Sequence, residues 1–238
     1  MARPPARRGG FRWGRLFRNI FLGALTLGVL VPVAVVAIYR FVPPPLTILM
    51  LERAAGGQGI DHRWVPLAEM SPTLPRAAIA AEDAHFCAHH GFDFHAIEVA
   101  MRHDEASPGH VRGGSTISQQ TAKNVFLWPD RSWVRKGLEA YFTLLIEGIW
   151  GKPRIMEVYL NTVEMGPGVY GVEAAAQHYF HVSARQLTPL QAARLVAILP
   201  SPLTWQAVDP GPYIRRRSGR IDAGESAVRR DGGEECLT

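Results

Sequence analysis

Twenty consecutive residues, Ile20 to Tyr39, carry no charge, and the six arginines ahead of them, Arg3, Arg7, Arg8, Arg12, Arg15 and Arg18, precede any acidic residue. At about 1.5 Å per residue, a helix of that length spans the roughly 30 Å hydrocarbon core of a bilayer, where a helix satisfies its own backbone. One transmembrane helix is therefore expected first. A cleaved signal peptide has a shorter apolar stretch and a small-x-small site, whereas this one ends in Ile38, Tyr39 and Arg40, so the helix reads as a retained anchor. Pro32 falls mid-span, where it removes one backbone hydrogen bond and can kink the helix without stopping it. Arginine-rich flanks stay cytoplasmic, which places everything after Arg40 outside the cytoplasmic membrane. Pro43, Pro44 and Pro45 then read as a stiff spacer holding the next domain off the bilayer.

The chain has 238 residues, room for one single-core domain plus appendages. Its net charge of +5 is concentrated at the two ends. Basic ends can bind nucleic acid, but arginines abutting an apolar run fit a membrane surface, so the membrane is the expected partner and nucleic acid is not. Cys87 and Cys236 are the only cysteines, and no disulfide framework follows from them. The resulting division is a basic cytoplasmic tail (1–18), an anchor (19–40), a stalk (41–70), a domain (71–210) and a polar C-terminal tail (211–238) in which order fades.

From Ser71 to Pro200 the apolar spacing is helical, and few runs alternate as strands would. Leu138, Tyr141, Phe142, Leu145 and Ile149 fall on one face of a core-building helix that stops at Gly151 and Pro153. Thr188, Pro189 and Gln191 supply a cap, a first-turn proline and a capping-box partner for a second helix ended by Pro200. Gly56-Gly57-Gln58-Gly59, Ser107-Pro108-Gly109 and Gly166-Pro167-Gly168 are loop signals.

Three stretches could carry chemistry. Glu82 and Asp83 both lie three or four residues from Ile79 and from Phe86, so they share the apolar face of their helix. Lost hydration there raises a carboxylate's pKa toward that of a useful base, although a buried ion pair with an arginine would read the same way. Gly113 to Gln120 is a glycine-rich turn entering a helix, with Thr116 and Gln119 spaced as a capping box. Thr116, Gln119, Gln120 and Lys123 recur on one helix face, suited to sugar hydroxyls and a phosphate or simply to solvent. Arg131, Arg135 and Lys136 precede the core helix, with Glu139 able to pair with Arg135; they could neutralise a pyrophosphate or form ordinary helix salt bridges. His85 and His89 have metal-compatible spacing but no third ligand and no His-Glu-x-x-His pattern, so no metal site is expected.

Taken in order, Glu82-Asp83-Ala84-His85-Phe86 with His89 and Gly91-Phe92-Asp93, Gly113 to Asn124, Arg131-Ser132 with Arg135-Lys136 and Glu139, and Lys152 to Asn161 with Gly166 and Gly171 to Ala176 resemble the family 51 peptidoglycan glycosyltransferases, in particular the monofunctional biosynthetic form that lacks a transpeptidase domain. The resemblance covers most of the chain. It implies a mainly α, lysozyme-like two-lobed glycosyltransferase domain preceded by the N-terminal transmembrane helix. It further implies polymerisation of lipid II into β-1,4-linked strands, with inversion at the donor's anomeric carbon and release of undecaprenyl pyrophosphate. Glu82 would be the base that deprotonates the acceptor 4-hydroxyl, and Glu139 the second catalytic glutamate, orienting the pyrophosphate-binding groups or contacting substrate. Lys123 and Arg131 would bind the pyrophosphate with Arg135 beside them, Ser115, Gln119 and Gln120 would line the cleft, and Asp83 would support Glu82. No cofactor is held tightly, though Mg²⁺ or Mn²⁺ could assist the leaving group, and cell-wall synthesis or division proteins are the implied partners. The sequence departs from the family at Ser118, where threonine is commoner, and between Asp93 and Arg112, where the usual aromatic and arginine pattern is loosely kept.

Two other readings compete. A lysozyme-like lytic enzyme would cleave glycan with a glutamate acid, but it has no pyrophosphate to stabilise and so no use for Lys123 and Arg131. A decayed, membrane-tethered scaffold would have lost charged residues that are all present here.

Overall fold

The computed structural model describes residues 13–106, 114–130 and 132–237. The chain is mainly helical. A continuous apolar helix runs from Trp13 to Tyr39, in which α1 (Trp13–Leu25) leads through a π-helical turn (Thr26–Leu30) into α2 (Val31–Tyr39). It begins before the expected span, so Arg15 and Arg18 lie on its first turns. Pro32 cannot donate to the carbonyl of Gly28, and that carbonyl instead accepts the Tyr141 hydroxyl at 2.9 Å.

After the anchor come α3 (Ile48–Ala55), β1 (Asp61–His62), α4 (Thr73–Glu82), α5 (Phe94–Ala106), α6 (Ile117–Phe126), α7 (Trp133–Ile149), α8 (Lys152–Thr162), β2 (Glu164–Gly166), β3 (Val169–Tyr170), α9 (Val172–Phe180), α10 (Pro189–Ala197) and α11 (Pro212–Arg230). The small sheet has order β1-β3-β2, with β3 parallel to β1 and antiparallel to β2. α6 packs against α7 and α8, and α4 against α10 and α11. Caps set the boundaries: Thr116 with Gln119 and Thr188 with Gln191 form reciprocal capping boxes at the starts of α6 and α10.

The proline spacer does not hold the domain away from the anchor. Val36 is fully buried, and its carbonyl accepts the Trp150 indole N–H at 2.7 Å. Arg154 donates from Nε (3.1 Å) and Nη2 (2.8 Å) to the Tyr39 carbonyl, one of those a helix C-terminus leaves unpaired. Tyr39 stacks on Phe126, which stacks on Phe142 with centroids 4.5 Å apart. The aromatic surface on α6 and α7 is covered only if α2 docks on it, so hydrophobic burial overrides the spacer. Of the expected α7 stripe, Phe142, Leu145 and Ile149 pack against the core and Tyr141 bonds to the anchor, while the most buried line is Glu139, Thr143 and Ile146.

Order does not fade after Pro210. Ile214, Ser218, Ile221 and Glu225 are the buried line of α11, and a Cβ on Gly224 would stand 3.0 Å from that of Ala80 on α4. Arg76 of α4 pairs with Glu225 at 3.3 Å and with Glu234 at 2.7 Å. Cys236 is disulfide-bonded to Cys87, closing a separation of 149 residues. The composition of this segment is polar because one face of a surface helix is wet; the other face docks.

Gly171 enters α9 with φ +79, and a Cβ there would lie 2.5 Å from the Asn161 carbonyl oxygen. Gly171→Ala should destabilise by about 2 kcal/mol or more. A clear drop in the thermal midpoint of the detergent-solubilised protein is the expected result, and an unchanged midpoint would contradict this account.

Candidate active site

α4 ends at Glu82, and this separates the two carboxylates that helical spacing placed on one face. Asp83 has left the helical conformation, with φ −160. Its Oδ2 accepts the Ile117 amide at 2.9 Å, at the start of α6, and its Oδ1 lies 2.8 Å from His89 Nε2. His89 Nδ1 accepts the Gly91 amide at 3.2 Å, so Nε2 carries the proton it gives to Asp83. The Asp83 side chain is 2% exposed. It therefore ties the backbone after Glu82 to the start of α6 and is absent from the cleft lining.

Glu82 instead faces a cleft of about 1070 Å³, lined also by Ser115, Gln120, Lys123, Asn124 and Arg135 and by Arg53, Glu164, Trp205, Tyr213 and Arg217. Gln120 Nε2 donates to Glu82 Oε2 at 3.1 Å, and Arg217 Nη2 donates to Oε1 at 3.3 Å. Burial raises the Glu82 pKa above the ordinary glutamate value, and the Gln120 hydrogen bond and the charges of Arg217 and Lys123 oppose part of that rise. A carboxylate shielded from water in this way holds a proton more tightly than an exposed glutamate does, which suits it to act as a general base.

Lys123 and Arg135 bring two of the cations on the wall, beside Arg53 and Arg217. Burial lowers the Lys123 pKa, with the Glu139 carboxylate acting against it and neighbouring Arg135 and Lys136 adding to it. Glu139 is buried and absent from the cleft lining. Its Oε2 accepts Arg135 Nη1 at 2.8 Å, and its Oε1 accepts Lys136 Nζ. Both oxygens are thus spent on holding cations, which supports an orienting role. Glu139→Ala leaves buried charge uncompensated and should destabilise by about 3 kcal/mol. A wild-type thermal midpoint in that variant would refute this role.

Of the remaining expected residues, Ser115 and Gln120 line the cleft. Gln119 does not: its Oε1 accepts the Thr116 amide at 3.0 Å to complete the capping box, and the residue is 5% exposed. Arg131 lies outside the described residues, as do residues 107–113. Among the described residues no three His, Cys, Asp or Glu side chains gather as metal ligands. Glu164 is held by Arg53 at 3.1 Å and Glu82 by Gln120 and Arg217, so both carboxylates already have protein partners.

Sequence reasoning missed Arg217 and the Arg53–Glu164 pair. Arg217 was accessible to it, because it shares the α11 face of Ile214 and Ile221 at helical spacing. No spacing rule joins Arg53 to Glu164, 111 residues apart.

This geometry agrees with the relationships of the chain. Residues 50–222 match the Transglycosylase family model. A biosynthetic peptidoglycan transglycosylase of Caulobacter vibrioides is 59% identical over 94% of this chain and 97% of its own length. Proteins of the same name from Rhodospirillum centenum and Pseudomonas aeruginosa are 50% identical (94% of this chain, 96% of theirs) and 52% identical (87% and 90%). With an apolar anchor docked on a helical domain whose cleft brings Glu82 together with Lys123 and Arg135, the chain belongs to the transglycosylase family.

Proposed function

We propose that this membrane-anchored chain is a peptidoglycan glycosyltransferase that polymerises lipid II into β-1,4-linked glycan strands. The observation that carries the reading is the pairing, in one cleft, of a buried carboxylate at Glu82 with the cations Lys123 and Arg135. Glu82 takes the proton from the acceptor's 4-hydroxyl as that oxygen attacks the donor's anomeric carbon. The bond to undecaprenyl pyrophosphate breaks on the opposite face, so configuration inverts. Negative charge growing on the leaving pyrophosphate falls beside Lys123 and Arg135, with Glu139 holding Arg135 in place. Gln120 fixes the Glu82 carboxylate. These cations carry the neutralisation, and a divalent ion would arrive as a ligand of the pyrophosphate.

A glycan-cleaving enzyme would have no leaving-group charge for this wall to meet. The basic N-terminal flank supports a cytoplasmic N-terminus and a catalytic domain outside the inner membrane. The Cys87–Cys236 disulfide supports the same placement, since disulfides persist in the periplasm and not in the cytosol. Exposed Trp133, Val134 and Leu144 on α7, beside the anchor, would meet acyl chains where a lipid-linked substrate resides.

The test incubates full-length protein in detergent with labelled lipid II and separates products by size. Long, lysozyme-sensitive polymer is expected. Its absence alongside an active control enzyme overturns the reading, and shortening of preformed strands would replace it with the lytic one.

A further inference from the structure

The C-terminal segment reaches the cleft. Arg217 of α11 donates from Nη2 to Glu82 at 3.3 Å and from Nε to the Ala197 carbonyl, at the end of α10, at 3.2 Å. Both ends of the guanidinium fork are therefore engaged, one of them by the carboxylate. The segment behind Arg217 is fastened twice to the region that carries Glu82. Arg76, on α4 itself, pairs with Glu225 and Glu234, and Cys236 is bonded to Cys87, five residues beyond Glu82.

We propose that Arg217 is a positioning residue for the Glu82 carboxylate, presented by a C-terminal segment that the Cys87–Cys236 disulfide staples to the loop following α4, so that reducing the disulfide weakens the base from outside the cleft. The inference rests on Glu82 being the base. The groups facing Glu82 are Asp83 beside it, Gln120 and Lys123 from α6, Tyr159 from α8 and Arg217 from α11. Lys123 is engaged with the Glu139 cluster and with the cleft, Asp83 opposes a charge on Glu82, and burial raises the Tyr159 pKa so that its neutral phenol adds none. Arg217 is thus the cation bonded directly to the carboxylate, and losing it shifts Glu82 toward its protonated, inactive form. Reduction proceeds by attack of a thiolate of dithiothreitol on one sulfur of the Cys87–Cys236 bond. The reagent then closes to its cyclic disulfide, passing two electrons and two protons to the protein and leaving two thiols.

The experiment measures initial rates of lipid II polymerisation against pH for the full-length wild type, Arg217→Met, Arg217→Lys, Glu82→Gln, Cys236→Ser, and dithiothreitol-treated wild type. Removing an opposite charge at this range moves a carboxylate pKa by about one unit or more. The acid limb of Arg217→Met should therefore move up by about that much, with a larger proportional loss on the limb than on the plateau, and Arg217→Lys should restore most of the limb. Reduced wild type and Cys236→Ser should move in the same direction by about half a unit, roughly a threefold loss on the acid limb. A uniform loss at every pH in Arg217→Met marks a merely structural role and overturns the proposal. An unmoved limb in the reduced enzyme overturns the staple. Wild-type rates in Glu82→Gln would instead remove the base reading itself, a result distinguishable from either.

Discussion

Glu82→Gln is expected to fold and insert as the wild type does but to polymerise lipid II at least about a hundredfold more slowly, the usual scale for loss of a general base. Glutamine keeps the shape, its one oxygen can still accept from Arg217, and its NH2 can donate to Gln120 once that amide turns its oxygen inward, so the cleft should not collapse. What disappears is the ability to take a proton. Burial raises the Glu82 pKa, so the wild-type rate should rise with pH through a limb above the ordinary glutamate value of 4.5, as the carboxylate ionises. Any residual activity of the variant should lack that limb. A near-normal rate would remove Glu82 from the base role and move attention to Glu164 and Asp130, which also line the cleft.

Lys123→Met should cost roughly a hundredfold to a thousandfold in kcat, the range seen when one preorganised stabiliser of transition-state charge is removed. The methionine chain replaces most of the aliphatic stem, so α6 should keep its packing. The charge sign also predicts the alkaline side of the pH profile. Burial lowers the Lys123 pKa, so its cation is lost as pH rises through a value below the ordinary 10.5, and the rate should fall there. The wild-type profile is then a bell, and Lys123→Met should flatten its alkaline limb. An effect confined to KM, with kcat unchanged, would assign Lys123 to ground-state binding and not to the leaving group.

Much of the fold was legible because its causes are local. The Ile20–Tyr39 run, the capping boxes at Thr116 and Thr188 and the stop at Gly151 are written within a few residues of where they act. The candidate site was legible in part. Glu82, Ser115, Gln120, Lys123 and Arg135 reach the cleft, and Glu139 stands behind them. Asp83 and Gln119 do not, and each is the case of a local rule that competed with a functional one. Gln119 is the third residue of a capping box, and Asp83 is the first residue past a helix whose end the spacing alone did not locate.

What required the tertiary structure lay where distant segments meet. The anchor docks on α7 and α8 because Phe126, Phe142 and Trp150 have apolar surface to cover, a demand that no residue of the proline spacer records. The tail after Pro210 is ordered because Ile214 and Ile221 find α4 and Arg76 finds two glutamates. By itself, then, the amino-acid order determined the membrane helix, the helical class and the residue types of the chemistry, since periodicity, caps and charge act over a turn or two of chain. The tertiary structure alone decided that Arg217 touches Glu82, that Cys87 meets Cys236 and that Asp83 turns away. Those contacts join residues 135 and 149 positions apart in the first two cases, and in the third follow from where a helix stops, so they depend on packing across the whole core.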